Sequence, residues 1–176
     1  RLASGLDEFW FRYGYFREGR LWLGRVLKRI PDMPAEVRRR VVDTGGWLSY
    51  QQGDLAEAEA LLSEAVSLHR ASGDSMSHAW ALGRLADVAL SQWEPERARD
   101  LLEEARQIGH AIGNPLIETA ALSDLGRVLL ISGDAAAAEA TLREALRQQQ
   151  AMPGTIGAAV STLFLGSALL AGGKSR

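Results

Sequence analysis

The stretch best spaced for chemistry is Ala168-Leu169-Leu170-Ala171-Gly172-Gly173-Lys174-Ser175, a relaxed phosphate-loop pattern with Ala where the first Gly normally stands. A working loop of that kind lies between a strand and a helix, so that backbone N–H groups converge on phosphate. Here a helical stripe of Leu163, Gly166, Leu169 and Leu170 precedes it, and nucleotide binding is not expected. His69, His78 and His110 share no metal-ligand spacing, and the chain has no cysteine to complete a zinc site. They read as surface or helix-capping histidines. No Gly-x-Ser-x-Gly pattern supports a nucleophile. Glu103-Glu104 and Glu94-Pro95-Glu96 read as solvated helix faces and first-turn acids that favour the helix dipole. No catalytic residue, metal or cofactor is expected, and the chain does not read as an enzyme.

The elements that place every side chain come from a repeat. Gly53-Asp54-Leu55, Trp93-Glu94-Pro95 and Gly133-Asp134-Ala135 open three segments forty residues apart. The same skeleton follows each opening: Ala58, Leu62, Glu64, Ala65; Ala98, Leu102, Glu104, Ala105; Ala138, Leu142, Glu144, Ala145. Upstream, Leu82, Leu85, Ala86 and Leu90 are answered by Leu122, Leu125, Gly126 and Leu130. A fixed period of this length marks a solenoid, whose units bury their apolar faces only by stacking on neighbours.

Within each unit the apolar spacing is helical. Leu82, Leu85, Ala86, Ala89 and Leu90 form one stripe, and Ala98, Leu101, Leu102 and Ala105 form another. Pro95 suits a first helical turn, and Asn114-Pro115 repeats that device with Asn as cap. Asp54 with Glu57 resembles a capping box, while Gly53 and Gly133 stand where a left-handed residue ends a helix. These signals predict helix pairs at about 1–31, 35–73, 75–113 and 114–153, then a lone helix at about 155–171. Small residues (Gly46, Ala58, Ala86, Ala98, Gly126, Ala138) are expected where the helices of a pair approach closely. Leu62, Leu102 and Leu142 are expected to fill gaps between pairs.

Leu82, Leu85, Ala86, Ala89, Ala98, Leu102 and Ala105 resemble the signature of a tetratricopeptide repeat. The longer forty-residue period resembles the arrays of large bacterial regulators, the LuxR-type and AfsR-like ATPase transcription factors. Ser72-Gly73-Asp74 and Ile112-Gly113-Asn114, which close the second helices, strengthen that likeness. The segment from Phe9-Trp10-Phe11 through Gly14-Tyr15-Phe16 to Leu23 is similar to the start of those arrays. The resemblance implies an all-α fold, with tetratricopeptide-like helix-hairpin repeats stacked in a right-handed superhelix. It implies one repeat domain over 1–176. The absence of an initiator Met and of a leader is read as a fragment of a longer chain.

In such a superhelix the first helix of each pair lines the concave groove. The resemblance places Arg40, Asp43, Trp47, Tyr50 and Gln51 there, then Trp80, Asp87 and Ser91, then Ser123, Arg127 and Ile131. Aromatic and Arg residues anchor interfaces. The implied partners are a protein, a peptide or a small-molecule effector in this groove, together with flanking domains of the parent chain. The lysine and asparagine pattern that clamps C-terminal carboxylates in chaperone-binding arrays is absent from these positions.

Charge and hydropathy set two further expectations. Residues 1–40 are net basic and include Arg38-Arg39-Arg40, although the whole chain is −2. This third offers nucleic-acid contact as an alternative; a solvated helix face is the reading preferred. Residues 148–173 carry no charge, yet they keep the repeat register and contain Pro153, Gly154, Gly157 and Gly166. That excludes a membrane span in favour of a helix whose apolar face, near Phe164 and Leu165, is left for self-association. The function expected is a non-enzymatic binding module, the cytoplasmic sensor or interaction arm of a transcriptional regulator. A structural scaffold without ligand is the other alternative.

Overall fold

The structure, a computed structural model, describes residues 16–27, 33–152 and 157–173. Among these the chain is all helix: α1 (Phe16–Leu27), α2 (Ala35–Gln51), α3 (Leu55–Ser72), α4 (Ser75–Ser91), α5 (Pro95–Ala111), α6 (Pro115–Ile131), α7 (Ala135–Gln150) and α8 (Gly157–Ala171). The aromatic run Phe9-Trp10-Phe11, the first helix expected from residue 1, and Lys174-Ser175-Arg176 lie outside the described residues. Two compact units divide the chain, Arg1–Gln92 and Trp93–Arg176. The boundary falls inside the segment 75–113 that the sequence reads as one pair.

Side chains close to the backbone set the helix starts. The carboxylate of Asp54 accepts from the Glu57 N–H (3.3 Å), Asp74 from Ser77 (3.0 Å), and Asp134 from Ala137 (3.0 Å). Asn114 accepts from Leu116 and Ile117, ahead of Pro115. Each satisfies an N–H that the helix itself leaves unpaired. The capping box at Asp54 is only half formed. The Glu57 carboxylate takes a hydrogen bond from the Ser49 hydroxyl (2.8 Å), while the Asp54 N–H reaches the Ser49 carbonyl. Helix ends fall on left-handed glycines, with φ of 78° at Gly53, 72° at Gly73, 64° at Gly113 and 86° at Gly133. Trp93 adopts the same conformation, φ 62°, without being glycine.

In the first unit α1 packs on α2, α2 on α3, α3 on α4, and α2 also reaches α4. In the second, α5 packs on α6, α6 on α7, α7 on α8, and α6 reaches α8. The close approach occurs where the small residues predict it. A Cβ on Gly46 would stand 2.6 Å from Leu62 Cγ, and one on Gly126 would stand 2.5 Å from Leu142 Cγ. Leu62 and Leu142 are therefore seated inside their own hairpins, against the glycine of the preceding helix. The expectation was that they fill gaps between pairs; the contact with the glycine within the pair comes in addition. Leu142 also joins Ala138 and Ala168 in a cluster flanked by Leu129, Leu130, Phe164 and Leu165.

Candidate functional site

In the first unit α2 presents Arg40, Asp43, Trp47, Tyr50 and Gln51 along one helical face. The rings of Trp47 and Tyr50 stack at 5.2 Å with an interplanar angle of 22°. Arg84 of α4 reaches across, its Nη1 donating to Asp43 Oδ1 at 2.8 Å. The same guanidinium stands 5.6 Å from the centre of the Trp47 ring. The ion pair thus holds a cation over an indole, an arrangement worth most where water is partly excluded. Trp80 lies one turn before Arg84 on α4 and is 39% exposed. Arg40, Gln51 and Ser91 are exposed, and Tyr50 and Asp87 are half-buried. The Ser91 hydroxyl donates to the Asp87 carbonyl.

Arg84 joins the candidate site and was missed in the sequence. The signal was an arginine on the Trp80, Asp87 and Ser91 face of α4, one period and one residue after Asp43. Beneath it lies His69, only 4% exposed, with its ring nitrogens 3.9 Å from carboxylate oxygens of Asp43 and Asp74. Burial disfavours the imidazolium and pulls the His69 pKa below its usual 6.5. Attraction by Asp43 and Asp74 opposes this, and repulsion from Arg39 and Arg84 adds to it. The backbone hydrogen bond from Ser77 holds the Asp74 carboxyl below its usual range. His69 and His78 are both buried, which overturns their reading as surface or cap residues. His110 is exposed, 3.4 Å from the Glu118 carboxylate. Among the described residues no cluster of His, Cys, Asp or Glu has the makings of a metal site.

The basic run is divided. Arg38 Nε donates to Glu64 Oε1 at 2.7 Å, so the first of the three arginines is neutralised within the fold. Arg40 remains exposed.

In the second unit the three expected groove residues separate. Ser123 is buried, which corrects its placement on an open face. Its hydroxyl donates to the Thr119 carbonyl (2.9 Å) and lies 2.7 Å from Ser161 Oγ. It also accepts from Gln149 Nε2 at 3.1 Å. One O–H and two lone pairs are all used, so Ser123 ties α6 to α7 and α8. Arg127 pairs with Asp124 (3.2 Å) and lies 5.6 Å over the Phe164 ring. Ile131 is exposed. Phe164 and Leu165 pack inward, so the bare side of α8 is Val160, Leu163 and Leu170 rather than the expected pair. No helix among the described residues is long and apolar enough to cross a membrane.

Residues 45–109 match the Tetratricopeptide repeat family. No curated protein matches the chain. Solved structures are similar throughout its length. BtubC (BKLC) from P. vanneervenii shares 17% identity at a TM-score of 0.80, covering 98% of this chain and 72% of that one. The nearly identical TPR-like repeats of a kinesin light chain-like protein from Podosopora anserina share 19% at a TM-score of 0.78, covering 99% and 87%. Tetratricopeptide repeats generally mediate protein–protein interaction, and their fold is typically a non-enzymatic scaffold. The fold of this chain is all-α, built of tetratricopeptide-like helix-hairpin repeats.

Proposed function

We propose that the chain is an interaction module that binds a protein or peptide on the α2–α4 face of its first unit. The observation that carries this reading is the Trp47–Tyr50 stack with Arg84 fixed over it by Asp43. Tryptophan, tyrosine and arginine dominate binding energy at interfaces. Here their geometry is set before a partner arrives, which lowers the ordering cost of association. Trp80, Arg40 and Gln51 supply a half-open aromatic and polar rim. The forty-residue period and the segment from Phe9 to Leu23 support a finer role. In that role the module is the cytoplasmic sensor arm of a bacterial transcriptional regulator, and the bound partner or effector biases an attached switch.

Tryptophan emission and melting temperature, recorded against acidic, basic and apolar peptides, oligosaccharides and nucleotides, test the proposal. A ligand of the folded state raises stability by RT ln(1 + [L]/Kd). The expected result is a saturable peptide-induced shift, lost in Trp47→Ala and Trp80→Ala and kept in Trp93→Ala. Flat responses throughout would replace the proposal with a scaffold that has no ligand. Oligonucleotide binding that falls steeply with salt would point instead to the basic N-terminal third.

A further inference from the structure

Beneath the Asp43–Arg84 pair lies a titratable group that the recognition face leaves unused. His69 of α3 is 4% exposed, and among the described residues neither of its ring nitrogens has a hydrogen-bond partner. Nε2 stands 3.9 Å from Asp43 Oδ2, and Nδ1 stands 3.9 Å from Asp74 Oδ2. A neutral imidazole has one N–H to give, whereas an imidazolium has two. A carboxylate at each nitrogen therefore suits the protonated ring better than the neutral one. Burial opposes the proton most strongly, and Arg39 of α2 and Arg84 of α4 oppose it too. In the second unit the matching contact is closed. Gln149 and Ser123 occupy the register of His69 and Asp43 two periods on, and Gln149 Nε2 donates to Ser123 Oγ at 3.1 Å. The repeat backbone thus accommodates a hydrogen bond between these two positions, made in that unit by side chains that do not titrate.

We propose that His69 is a pH switch for the α2–α4 face: its protonation draws Asp43 inward, and Arg84 leaves the Trp47 ring. The switch rests on the function proposed above, whose site it regulates. Asp43 carries one charge and would then serve two cations. His69 is enclosed, whereas the Arg84 side chain, 35% exposed, can turn to water, so the arginine is the one that yields. The imidazolium also repels Arg84 directly. Asp74 is less free to follow the ring, because its other oxygen caps α4 by accepting from the Ser77 N–H at 3.0 Å. Protonation therefore unlocks the cation that Asp43 holds over the Trp47–Tyr50 stack, and binding that uses this arrangement weakens in acid.

Nuclear magnetic resonance of the whole chain tests this without a ligand, from pH 8 to 5, by following the His69 ring and the Trp47 indole N–H. Both signals are expected to move with one midpoint below 6.5 while circular dichroism stays constant. His69→Gln should leave the Trp47 signal stationary. Asp74→Asn keeps a capping side chain but removes a carboxylate that favours the imidazolium, so both midpoints should fall together. The proposal is overturned by a Trp47 signal that stays still while His69 titrates, that moves in His69→Gln, or that departs from the ring's midpoint in Asp74→Asn. It is overturned equally if the ring stays neutral to pH 5, or if acid unfolds the chain before the ring titrates. Peptide binding that fails at every pH removes the site and leaves this titration standing, whereas a stationary Trp47 removes the switch and leaves the site.

Discussion

Alanine at Gly46 is expected to destabilise the protein and yet to stabilise its Leu62→Ala variant. The new Cβ would stand 2.6 Å from Leu62 Cγ, 3.0 Å from Cδ2 and 3.1 Å from the Leu62 backbone nitrogen. Carbon atoms prefer about 3.5–4.0 Å, so the side chain would have to retreat by about 1 Å. Rotation alone does not release it, because the backbone nitrogen is also close, and α2 and α3 must separate. Overpacking of this kind costs about 1–3 kcal/mol. Replacing a mid-helix glycine returns about 1 kcal/mol of propensity. The net loss is about 1 kcal/mol. Leu62→Ala alone, at a site with no exposure, costs about 2–5 kcal/mol. With the leucine side chain gone both carbon collisions vanish and only the 3.1 Å approach to the backbone nitrogen persists, so Gly46→Ala now stabilises, by up to about 1 kcal/mol.

The coupling between the two positions is therefore about 1–2 kcal/mol, well above the 0.3–0.5 kcal/mol or so that separates additive pairs from coupled ones. Urea unfolding of the four proteins, followed by tryptophan emission, measures it. Of the five tryptophans all but Trp93 fall in the first unit, so emission follows the unit that contains Gly46. The same inversion should appear at Gly126 and Leu142 when the transition is followed by circular dichroism. Additive effects at both pairs would refute the claim that these leucines seat on these glycines.

Three further perturbations have expected signs. Gly83→Ala in α4 meets nothing within 4 Å and should stabilise by about 1 kcal/mol, a rise in urea midpoint opposite to that of Gly46→Ala. Trp93→Gly should also stabilise, by about 0.5–1 kcal/mol, since a non-glycine residue in the left-handed region costs about 1–2 kcal/mol and glycine loses part of that in chain entropy. An indole 81% exposed contributes little burial to offset the gain, and a lower midpoint would show that contacts of the Trp93 indole outweigh the relief of its backbone. His69 has a folded pKa below 6.5, so between the two values the unfolded chain binds more protons. Its contribution is fully present above pH 6.5 and is lost as the pH falls through the folded value. Urea midpoints measured from pH 8 to 5 should decline, and His69→Gln should flatten that decline. The carboxyl of Asp74 titrates in a separate window below 3.8, where stability falls as the pH drops through its depressed value.

Local devices were legible in the sequence because they act over four residues or fewer. Asp54, Asn114, Asp134 and Pro95 all stand at helix starts, and Gly53 and Gly133 at left-handed ends. Trp93 kept its place in the period while hiding its conformation, since no propensity rule assigns a tryptophan to positive φ. The burial of His69 was missed although the register contained it. Positions 69, 109 and 149 hold His, Gly and Gln, and all three are buried. At Gly109 a Cβ would meet the Glu118 nitrogen and the Ile117 side chain at 2.9 Å, so this position faces the next helix. A histidine aligned with a glycine of that kind belongs inside. The Asp43–Arg84 pair was out of reach for another reason: its partners sit at different repeat positions, 43 and 44 in the first frame.

The period specifies the scaffold so well, and the site so poorly, because the two obey different constraints. Positions that touch the next helix must reproduce one volume in every repeat, so Ala58, Ala98 and Ala138 are identical, as are Leu62, Leu102 and Leu142. Positions facing outward carry no such demand. One of them reads Trp47, Asp87, Arg127: an aromatic, an acid and a base at the same register. Recognition must reside in those differences, since a residue common to all repeats cannot distinguish one part of the array from another. Register nevertheless does not decide accessibility. Asp43 and Ser123 share a position, yet Asp43 holds Arg84 at a half-open face, whereas Ser123 is sealed between Gln149 and Ser161. What an outward position does is fixed by the side chain that the following helix sets against it. For that reason the Trp47 cluster, where α4 supplies an arginine, is the recognition face we propose, while the matching position of α6, against which α8 supplies a serine, is a structural joint.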